Sequence, residues 1–407
     1  MRENLRTNFL GIEMPNPFML ASAPPARDRE MIDRAFQAGW GGAVIKTLTQ
    51  YTGAEGDEIR DVSPRIFPIR GMGGEFKNAV FGYMNIELTS QKTNEESCED
   101  ISFLKKRWPD RAVIASILYG HAPIKEKWQR AAADCELAGA DAIELNFSCP
   151  HGCSEIGSGV SIGGNPAKIK EILGWVKEAT KLPLITKLTV LSDIVYAAAL
   201  SEEHGADAVC AINTVSSMPG IDLENFRPRL NVGGVGTAGG LSGHMIKPIA
   251  LRSVLEIARA VKIPISGSGG IYDWHDAAEF ILAGASTLQI CSAVMERGYG
   301  IIGGLCSGLS AYMERMGFED IEAFRGKALG SIVHHADIDR GRLFKPSLDL
   351  IKCSCCGRCA VSCRDAGYQA ISLSRGGISI DLDKCTGCGL CYGLCPSEAL
   401  TPVGVNV

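Results

Sequence analysis

The fold is first indicated by Ala138-Gly139-Ala140-Asp141-Ala142-Ile143-Glu144-Leu145, where a helical pattern ends at a glycine and a short apolar run follows. Glycine accepts the left-handed conformation that ends many helices. A short, continuous apolar run is typical of a parallel strand that is buried on both faces. The stretch therefore predicts a helix, a tight turn and a buried strand in succession.

The same unit recurs along the chain. Its other copies are Ala38-Gly39-Trp40-Gly41-Gly42 before Ala43-Val44-Ile45-Lys46, His204-Gly205-Ala206-Asp207 before Ala208-Val209-Cys210-Ala211, and Ala283-Gly284-Ala285-Ser286 before Thr287-Leu288-Gln289-Ile290. Apolar runs at 17–21, 112–117, 184–188 and 264–266 bring the strand candidates to eight, and helical patterns alternate with them. This alternation predicts an α/β fold, a (β/α)8 TIM barrel, with a doubly wound open sheet as the alternative.

The domain organisation follows from the chain of 407 residues, because such a barrel needs only about 250. We expect the barrel in residues 1–310, a helical connection in 311–345, and a C-terminal α+β ferredoxin-like two-cluster domain in 346–407. Helical patterns at 305–315 and 318–329 indicate the helical connection.

Charge and hydropathy exclude several functions. The net charge is -5, which gives no electrostatic footprint for nucleic acid. No apolar run reaches 18 residues, and the charged first residues lack the apolar core of a signal peptide. We expect a cytoplasmic protein with small-molecule or protein partners, and neither a membrane nor a nucleic-acid partner.

Half of the 16 cysteines fall in two runs with the spacing C-x2-C-x2-C-x3-C. The runs are Cys353, Cys356, Cys359 and Cys363, and then Cys385, Cys388, Cys391 and Cys395. This spacing is typical of two-cluster ferredoxins, in which the fourth cysteine of each run ligates the other 4Fe-4S cluster. We therefore predict that Cys395 completes the first set of three and Cys363 the second. A zinc ribbon is the alternative, although zinc sites usually use paired C-x2-C units.

Two details depart from the simplest ferredoxin pattern. Arg364 stands where a proline is expected after the first run, and Cys355 is an additional thiol beside Cys356. Choosing Cys355 as a ligand would break the spacing, so we do not count it among the ligands.

Polar residues recur at the predicted carboxyl ends of the strands, where TIM barrels carry their active sites. They are Lys46-Thr47, Asn146-Phe147-Ser148-Cys149, Lys187, Asn213-Thr214, Gly269-Gly270 and Cys291-Ser292. Cys149 could be a reactive thiol or a buried structural one, and the segment alone leaves both interpretations open.

An iron–sulfur cluster carries one electron, so the reduction of an organic substrate also needs a group that stores two, such as a flavin. The turns at Gly269-Gly270-Ile271 and Cys291-Ser292 are where a barrel would bind the phosphate of FMN. Lys187 could place positive charge near the reduced ring. The G-x-G-x-x-G pattern at 234–239 does not follow a buried strand, so we do not assign a nicotinamide site to it.

These motifs resemble a known family. Asn146-Phe147-Ser148-Cys149-Pro150-His151-Gly152, Asn85-Ile86-Glu87-Leu88, Asn213-Thr214-Val215 and the double cysteine run are similar to the pyrimidine-reducing part of dihydropyrimidine dehydrogenases. Nearly the whole chain resembles the bacterial catalytic subunit, which lacks the FAD and nicotinamide domains. The resemblance implies two 4Fe-4S clusters, FMN, and electrons from a separate FAD- and NAD(P)H-binding flavoprotein subunit. It also implies a pyrimidine-like substrate, and we expect an oligomer.

The resemblance also implies roles for individual residues. Those expected to hold FMN are Ala23, Lys46, Thr47, Lys187, Gly243, Gly269, Gly270, Ile271, Cys291 and Ser292. Those expected to bind the pyrimidine ring or tune its surroundings are Asn85, Glu87, Asn146, Ser148, His151, Asn213 and Thr214. Cys149 is expected to protonate C5 while the flavin delivers hydride to C6, because a thiol with a reference pKa of about 8.5 is mostly protonated at neutral pH.

Two positions depart from the family pattern and bear on the substrate. Thr89 stands where a bulkier aliphatic residue is expected, and the loop 153–164 differs. A dihydroorotate dehydrogenase-like oxidoreductase is one alternative function, because that family shares the flavin barrel and an Asn-x-Ser-Cys/Ser-Pro loop. A non-catalytic electron-relay subunit is another.

Overall fold

Eight parallel strands close into a barrel in the computed structural model, which describes residues 3–49, 61–71, 78–119, 125–149, 159–366 and 368–406. The barrel strands are β3 (Phe18–Leu20), β4 (Gly42–Leu48), β7 (Ala112–Ile117), β8 (Ala142–Asn146), β9 (Leu184–Leu188), β10 (Ala208–Ala211), β15 (Ile265–Ser268) and β16 (Thr287–Ile290). Neighbours in the barrel follow chain order, and β16 pairs with β3 to close it. The predicted TIM barrel is confirmed, and the open sheet is excluded.

Helices connect successive barrel strands, and two more follow the last strand. They are α1 (Arg29–Ala38), α2 (Asn94–Arg107), α3 (Lys125–Leu137), α4 (Val160–Gly163), α5 (Pro166–Ala179), α6 (Ile194–Glu203), α7 (Lys247–Ala260), α8 (Trp274–Leu282), α9 (Ser292–Arg297) and α10 (Ile301–Met316). The apolar faces of the longer helices and the outward side chains of the strands form one continuous core.

The glycines of the repeated sequence unit end the helices as predicted. Gly39, Gly139, Gly205 and Gly284 have φ angles of 114°, 92°, 91° and 114°, in the region that side chains with a Cβ rarely adopt. At α1, for example, the amide of Gly39 donates to the carbonyls of Ala35 and Phe36 in the last turn. Each glycine thus lets the chain turn directly into the next strand.

Two layers fill the barrel interior, because successive side chains of a strand point to opposite faces. Ala142 and Ile185 belong to an apolar layer in which β1 (Thr7–Phe9) and β2 (Ile12–Met14) supply Phe9 and Met14. Two residues further along the same strands, Glu144 and Lys187 are buried. The interior is therefore apolar at the amino ends of the strands and charged towards their carboxyl ends.

A four-stranded antiparallel sheet is built from the segments that follow two barrel strands. Its order is β11 (Val215–Ser217), β14 (Gly239–Ser242), β6 (Val80–Asn85) and β5 (Ile66–Arg70). Strands β5 and β6 lie between β4 and β7 in the sequence, whereas β11 and β14 lie between β10 and β15. The pairing of β6 with β14 therefore joins two distant connections of the barrel. A short hairpin of β12 (Ile221–Asp222) and β13 (Arg227–Pro228) lies between β11 and β14.

Two other regions can be compared with the sequence analysis. Residues 318–329 form turns rather than the expected helix, where Gly326 has a φ of 71° and the rings of Phe318 and Phe324 stack at 5.1 Å. The G-x-G-x-x-G pattern at 234–239 leads into strand β14, which pairs with β6 and β11 in the antiparallel sheet.

The chain divides into two compact units between Gly330 and Ser331, inside the segment 311–345 that the sequence assigned to a connection. The second unit contains the antiparallel pair β17 (Arg342–Leu348) and β20 (Leu400–Asn406), and the hairpin β18 (Ile371–Ser374) and β19 (Gly377–Ile380). It also contains the short helices α11 (Arg358–Asp365) and α12 (Leu390–Gly393). Its small core includes Cys359, Ile371, Ile378, Cys391 and Leu400. The C-terminal α+β ferredoxin-like fold is confirmed.

Within the described part of the chain, no helix combines the length and the apolar composition that crossing a membrane requires.

The contact between α8 and α10 allows a test of the packing. A Cβ on Gly308 would lie 2.0 Å from Cδ1 of Trp274, whereas one on Gly304 of the same helix would meet nothing within 4 Å. We expect Gly308→Ala to lower the free energy of unfolding by about 1–3 kcal/mol through overpacking. Gly304→Ala should raise it by about 0.5–1 kcal/mol, because alanine favours the helix. Urea unfolding measures both, and equal effects would contradict the packing.

Candidate active site

A pocket of about 1090 Å³, mouth included, opens at the carboxyl ends of the barrel strands. Its walls contain most of the residues that the sequence singled out. They are Ala23, Lys46, Thr47, Asn85, Glu87, Asn146, Cys149, Lys187, Asn213, Thr214, Gly243, Gly269, Gly270, Ile271, Cys291 and Ser292. His151 and Gly152 fall outside the described residues. The predicted cofactor residues and ring contacts thus lie around one cavity, and their individual roles stay predictions.

Cys149 lies in the wall of this pocket and is 6% exposed. Its carbonyl accepts a hydrogen bond from the amide of Val160, the first residue of helix α4, at 3.0 Å. A Cβ on Gly159 would come within 2.4 Å of that carbonyl oxygen, so only glycine allows the two backbone segments to approach so closely. This contact fixes the backbone of Cys149.

A chain of side-chain hydrogen bonds aligns the amides around the pocket. The Asn213 amide donates to Ser148 Oγ at 2.9 Å, and Ser148 Oγ donates to Asn146 Oδ1 at 2.8 Å. The Asn146 amide in turn donates to Thr47 Oγ1 at 3.2 Å. Ser148 is fully buried behind the wall, so its hydroxyl orients Asn146 and Asn213 from the protein side.

Asn85 and Thr214 face the same space from the four-stranded sheet and from the segment after β10. The Asn85 amide donates to the carbonyl of Gly240 at 3.1 Å, and the Thr214 backbone amide donates to Asn213 Oδ1 at 2.7 Å. In the described part of the structure, the buried Thr214 Oγ1 has no hydrogen-bond partner. A buried hydroxyl in a pocket wall is suited to a ligand that supplies the missing bond.

Glu87 forms an ion pair with Lys46 in the pocket, with 2.8 Å between Oε2 and Nζ. Its other oxygen, Oε1, accepts from Arg65 Nε at 3.1 Å. Both carboxylate oxygens therefore have a cationic partner. This geometry links Lys46, which the sequence assigned to the cofactor, with Glu87, which it assigned to the ring.

Lys187 lies at the base of the pocket within a buried polar group. Its Nζ lies 3.2 Å from Glu144 Oε1 and 3.1 Å from Gln289 Oε1. Gln289 Nε2 donates to Glu144 Oε2 at 2.8 Å, which closes the group. Burial alone would lower the pKa of Lys187, but the charge and hydrogen bond of the fully buried Glu144, together with the nearby Cys210 and Cys291, raise the pKa overall. The amine therefore remains protonated.

Three glycines shape the opposite end of the pocket. Gly243, Gly269 and Gly270 have φ angles of 95°, 124° and 78°. A Cβ on Gly270 would lie 2.8 Å from the amide nitrogen of Lys247, where helix α7 begins. Asp276 fixes the turn that follows, because its Oδ2 accepts from the amide of Tyr272 at 2.8 Å. The result is a turn in which a Cβ at any of the three glycines would come within 3 Å of a neighbouring atom.

Cys291 and Ser292 complete this end of the pocket. The Ser292 hydroxyl donates to Ser242 Oγ at 3.2 Å. Burial, with a smaller contribution from the charge of Glu87, raises the pKa of Cys291 to about 12. Cys291 is therefore a neutral thiol. A pocket with glycines and hydroxyls at one end and a buried ammonium at the other suits FMN, whose phosphate is anionic and whose reduced ring gains negative charge.

The sequence analysis missed Glu144, Gln289 and Arg65 as parts of the site. The first two are polar residues inside otherwise apolar strands, which is a usable signal, since a buried charge needs a partner. Arg65 carried no such signal. It reaches Glu87 only because β5 and β6 pair in the four-stranded sheet.

The cysteines of the second unit line two separate cavities. One, of about 310 Å³, is lined by Cys353, Cys356, Cys359 and Cys395. The other, of about 340 Å³, is lined by Cys363, Cys385, Cys388 and Cys391. These are the two sets that the sequence analysis predicted, with the fourth cysteine of each run at the other cavity.

The geometry of the two sets is repeated. Gly357 after Cys356 and Gly389 after Cys388 both adopt left-handed φ angles, 72° and 84°, and each precedes a short helix. Across the described residues, no three Cys, His, Asp or Glu side chains are close enough to hold a single metal ion. The repeated C-x2-C-x2-C-x3-C spacing, with the fourth cysteine of each run at the other cavity, is typical of a two-cluster ferredoxin.

Comparison with known families agrees with this arrangement. Residues 4–313 match the dihydroorotate dehydrogenase family, and residues 347–401 match the 4Fe-4S dicluster domain. The fold and the site define a flavin- and iron–sulfur-dependent oxidoreductase. More particularly, the chain belongs to the dihydroorotate dehydrogenase family and carries a C-terminal 4Fe-4S domain.

The individual relatives are named for two different reactions. The NAD-dependent dihydropyrimidine dehydrogenase subunit PreA of Escherichia coli K12 is 37% identical over 378 residues, which cover 92% of this chain and 89% of that protein. The chloroplastic NADP(+) dihydropyrimidine dehydrogenase of Arabidopsis thaliana is 38% identical, over 82% of this chain and 79% of that protein. The catalytic subunit of NAD(+) dihydroorotate dehydrogenase B from Pyrococcus abyssi is 37% identical, over 80% of this chain and 99% of that protein.

The buried Lys187–Glu144 pair can be tested by removing one charge. Glu144→Gln leaves the ammonium buried without its carboxylate, which should cost about 3–5 kcal/mol in the free energy of unfolding. The double variant Glu144→Gln, Lys187→Met removes both charges and should recover a large part of that loss. Urea unfolding checks this, with the exposed Glu171→Gln as control. Equal losses in the single and double variants would contradict the pairing.

The ligand sets can be tested with two neighbouring cysteines. We expect about eight irons per chain after anaerobic reconstitution, since each cluster holds four. Cys356→Ala, at the first cavity, should retain about four irons. Cys355→Ala, whose thiol is not among the cavity-lining residues, should retain all of them. Iron and sulfide analysis gives the result, and equal iron loss in both variants would argue against the assignment.

Proposed function

We propose that the chain reduces the 5,6 double bond of uracil or thymine to the 5,6-dihydropyrimidine, with Cys149 as the proton donor. Electrons are supplied by a FAD- and NAD(P)H-binding flavoprotein partner and pass through two 4Fe-4S clusters. The observation that carries the proposal is the buried Cys149 thiol in the wall of a pocket that also holds Asn85, Asn146, Asn213 and Thr214.

A pyrimidine ring presents amide N-H groups and carbonyl oxygens along its edges. Asparagine side chains offer both donors and acceptors, and threonine offers a hydroxyl, so this set can match such edges. The hydrogen bonds through Ser148 hold Asn146 and Asn213 in fixed orientations. The Thr214 hydroxyl, which has no hydrogen-bond partner among the described residues, can bond to one more polar group of the ring.

FMN held in the pocket would supply the hydride that C6 of the ring receives. Cys149 then donates its proton to C5, so one C-H bond forms at each carbon and the S-H bond breaks. The thiolate regains a proton from water before the next turnover. A thiol suits this work because its reference pKa of about 8.5 keeps it protonated at neutral pH.

The electron path rests on the second unit and on the relatives. One cluster carries a single electron, so two electrons reach the flavin in separate steps. No nicotinamide-binding motif was identified in the sequence, and the Escherichia coli relative is named as an NAD-dependent subunit. Both points support a separate protein that oxidises the nicotinamide.

The alternative of dihydroorotate oxidation is supported by relatives named for that reaction, at the same 37% identity. The alignment with the dihydropyrimidine dehydrogenase subunit covers 92% of this chain, against 80% for the Pyrococcus abyssi protein, and favours the first function.

Cys149→Ala tests the proposed acid. Turnover of uracil by the holoenzyme with a chemical reductant should fall by about 10²–10⁴-fold, as expected for the loss of general acid catalysis. FMN content and the spectral response to bound uracil should remain. Cys306→Ala, on α10 and not among the pocket-lining residues, is the control. Near-normal turnover in Cys149→Ala would remove the thiol from the mechanism.

A further inference from the structure

Glu87 and the charged side chains around it have a net charge of zero. Lys46 and Glu87 are only 6% and 9% exposed, and Arg65 approaches the second oxygen of Glu87. Arg65 Nε also lies 3.8 Å from Asp61 Oδ2, while Asp61 Oδ1 accepts from the amide of Leu88 at 2.8 Å. Two cations and two carboxylates form this cluster. We refer to Lys46, Arg65, Glu87 and Asp61 as the Glu87 cluster.

The second cation of the pocket wall, Lys187, also has a carboxylate partner. Among the described residues of the wall, the cations are Lys46 and Lys187. Lys46 is paired with Glu87, and Lys187 is paired with Glu144 beneath it. The described wall therefore has no positive charge that is available to an anionic substituent on a ring.

A carboxylate entering this space would lose its hydration without gaining a counter-ion. Removing a charged group from water is costly unless a partner compensates it, and the nearby carboxylate of Glu87 repels a second negative charge. An uncharged ring meets no such penalty, because hydrogen bonds satisfy its polar edges. The site therefore distinguishes pyrimidines by their charge rather than by their size.

We propose that Glu87 is a specificity-determining residue that selects uncharged pyrimidines over pyrimidines carrying a carboxylate, by neutralising Lys46. This inference rests on the proposed function and specifies its substrate class. A pyrimidine without a carboxylate needs no cation in the pocket, whereas a pyrimidine with a carboxylate would need an unpaired one.

The first experiment uses wild-type holoenzyme and two ligands of the same size. Uracil-6-carboxylate is negatively charged, whereas uracil-6-carboxamide is neutral, and titrations followed by flavin absorbance give their dissociation constants, with uracil as reference. We expect the carboxamide to bind at least tenfold more tightly than the carboxylate. Equal affinities would mean that charge does not govern the choice, and equal rejection of both would mean that size does; either result would overturn the proposal.

The second experiment removes the negative charge with Glu87→Gln. Lys46 then lacks its carboxylate, so the preference for the carboxamide over the carboxylate should shrink at least tenfold. Glu322→Gln, an exposed carboxylate that is not among the pocket-lining residues, should keep the wild-type preference. An unchanged preference in Glu87→Gln holoenzyme would overturn the role of Glu87. If this variant does not fold, the wild-type comparison still decides.

The two proposals fail in different ways. Uracil binding by the wild type without discrimination between carboxamide and carboxylate would overturn the inference about Glu87 alone. Absence of any response to neutral pyrimidines, or tighter binding of the carboxylate than of uracil, would overturn the proposed function and this inference with it.

Discussion

Every second side chain of the barrel strands must lie in a closed interior, and this constraint organises the rest of the molecule. Near the amino ends of the strands the interior is filled by apolar residues such as Ile185. Further up the same strand, Lys187 is buried and pairs with Glu144. A buried ammonium is tolerable only with such a partner. The barrel thus holds a fixed ammonium–carboxylate pair at the base of the pocket.

The sequence predicted the barrel because its signals are local. Gly39, Gly139, Gly205 and Gly284 mark where helices end, and each is followed within a few residues by an apolar strand. Parallel strands of a closed barrel end at one face, so residues such as Asn146 and Lys187 could be placed together without knowing any contact. The same reasoning holds for the cysteine runs, since their spacing along the chain is itself the signal.

The missed features depend on contacts between distant segments. The four-stranded sheet is completed by the pairing of β6 with β14, whose residues lie more than a hundred positions apart, as in the pair of Asn85 and Gly240. No period or motif reports such a pairing. Consequently the sequence placed Glu87 at the ring but did not reveal that Lys46 and Arg65 occupy both of its oxygens. Residue identity predicted the members of the site, and tertiary structure determined their charge balance.

The two pocket thiols illustrate why chemistry has to be argued from surroundings. Cys291 is half-buried near Glu87, and desolvation raises its pKa to about 12, so it is a neutral thiol in the pocket wall. Cys149 lines the same pocket but is held through its backbone, by the approach of Gly159 and the amide of Val160. A proton donor needs a defined position, and fixing the main chain at Cys149 contributes to it.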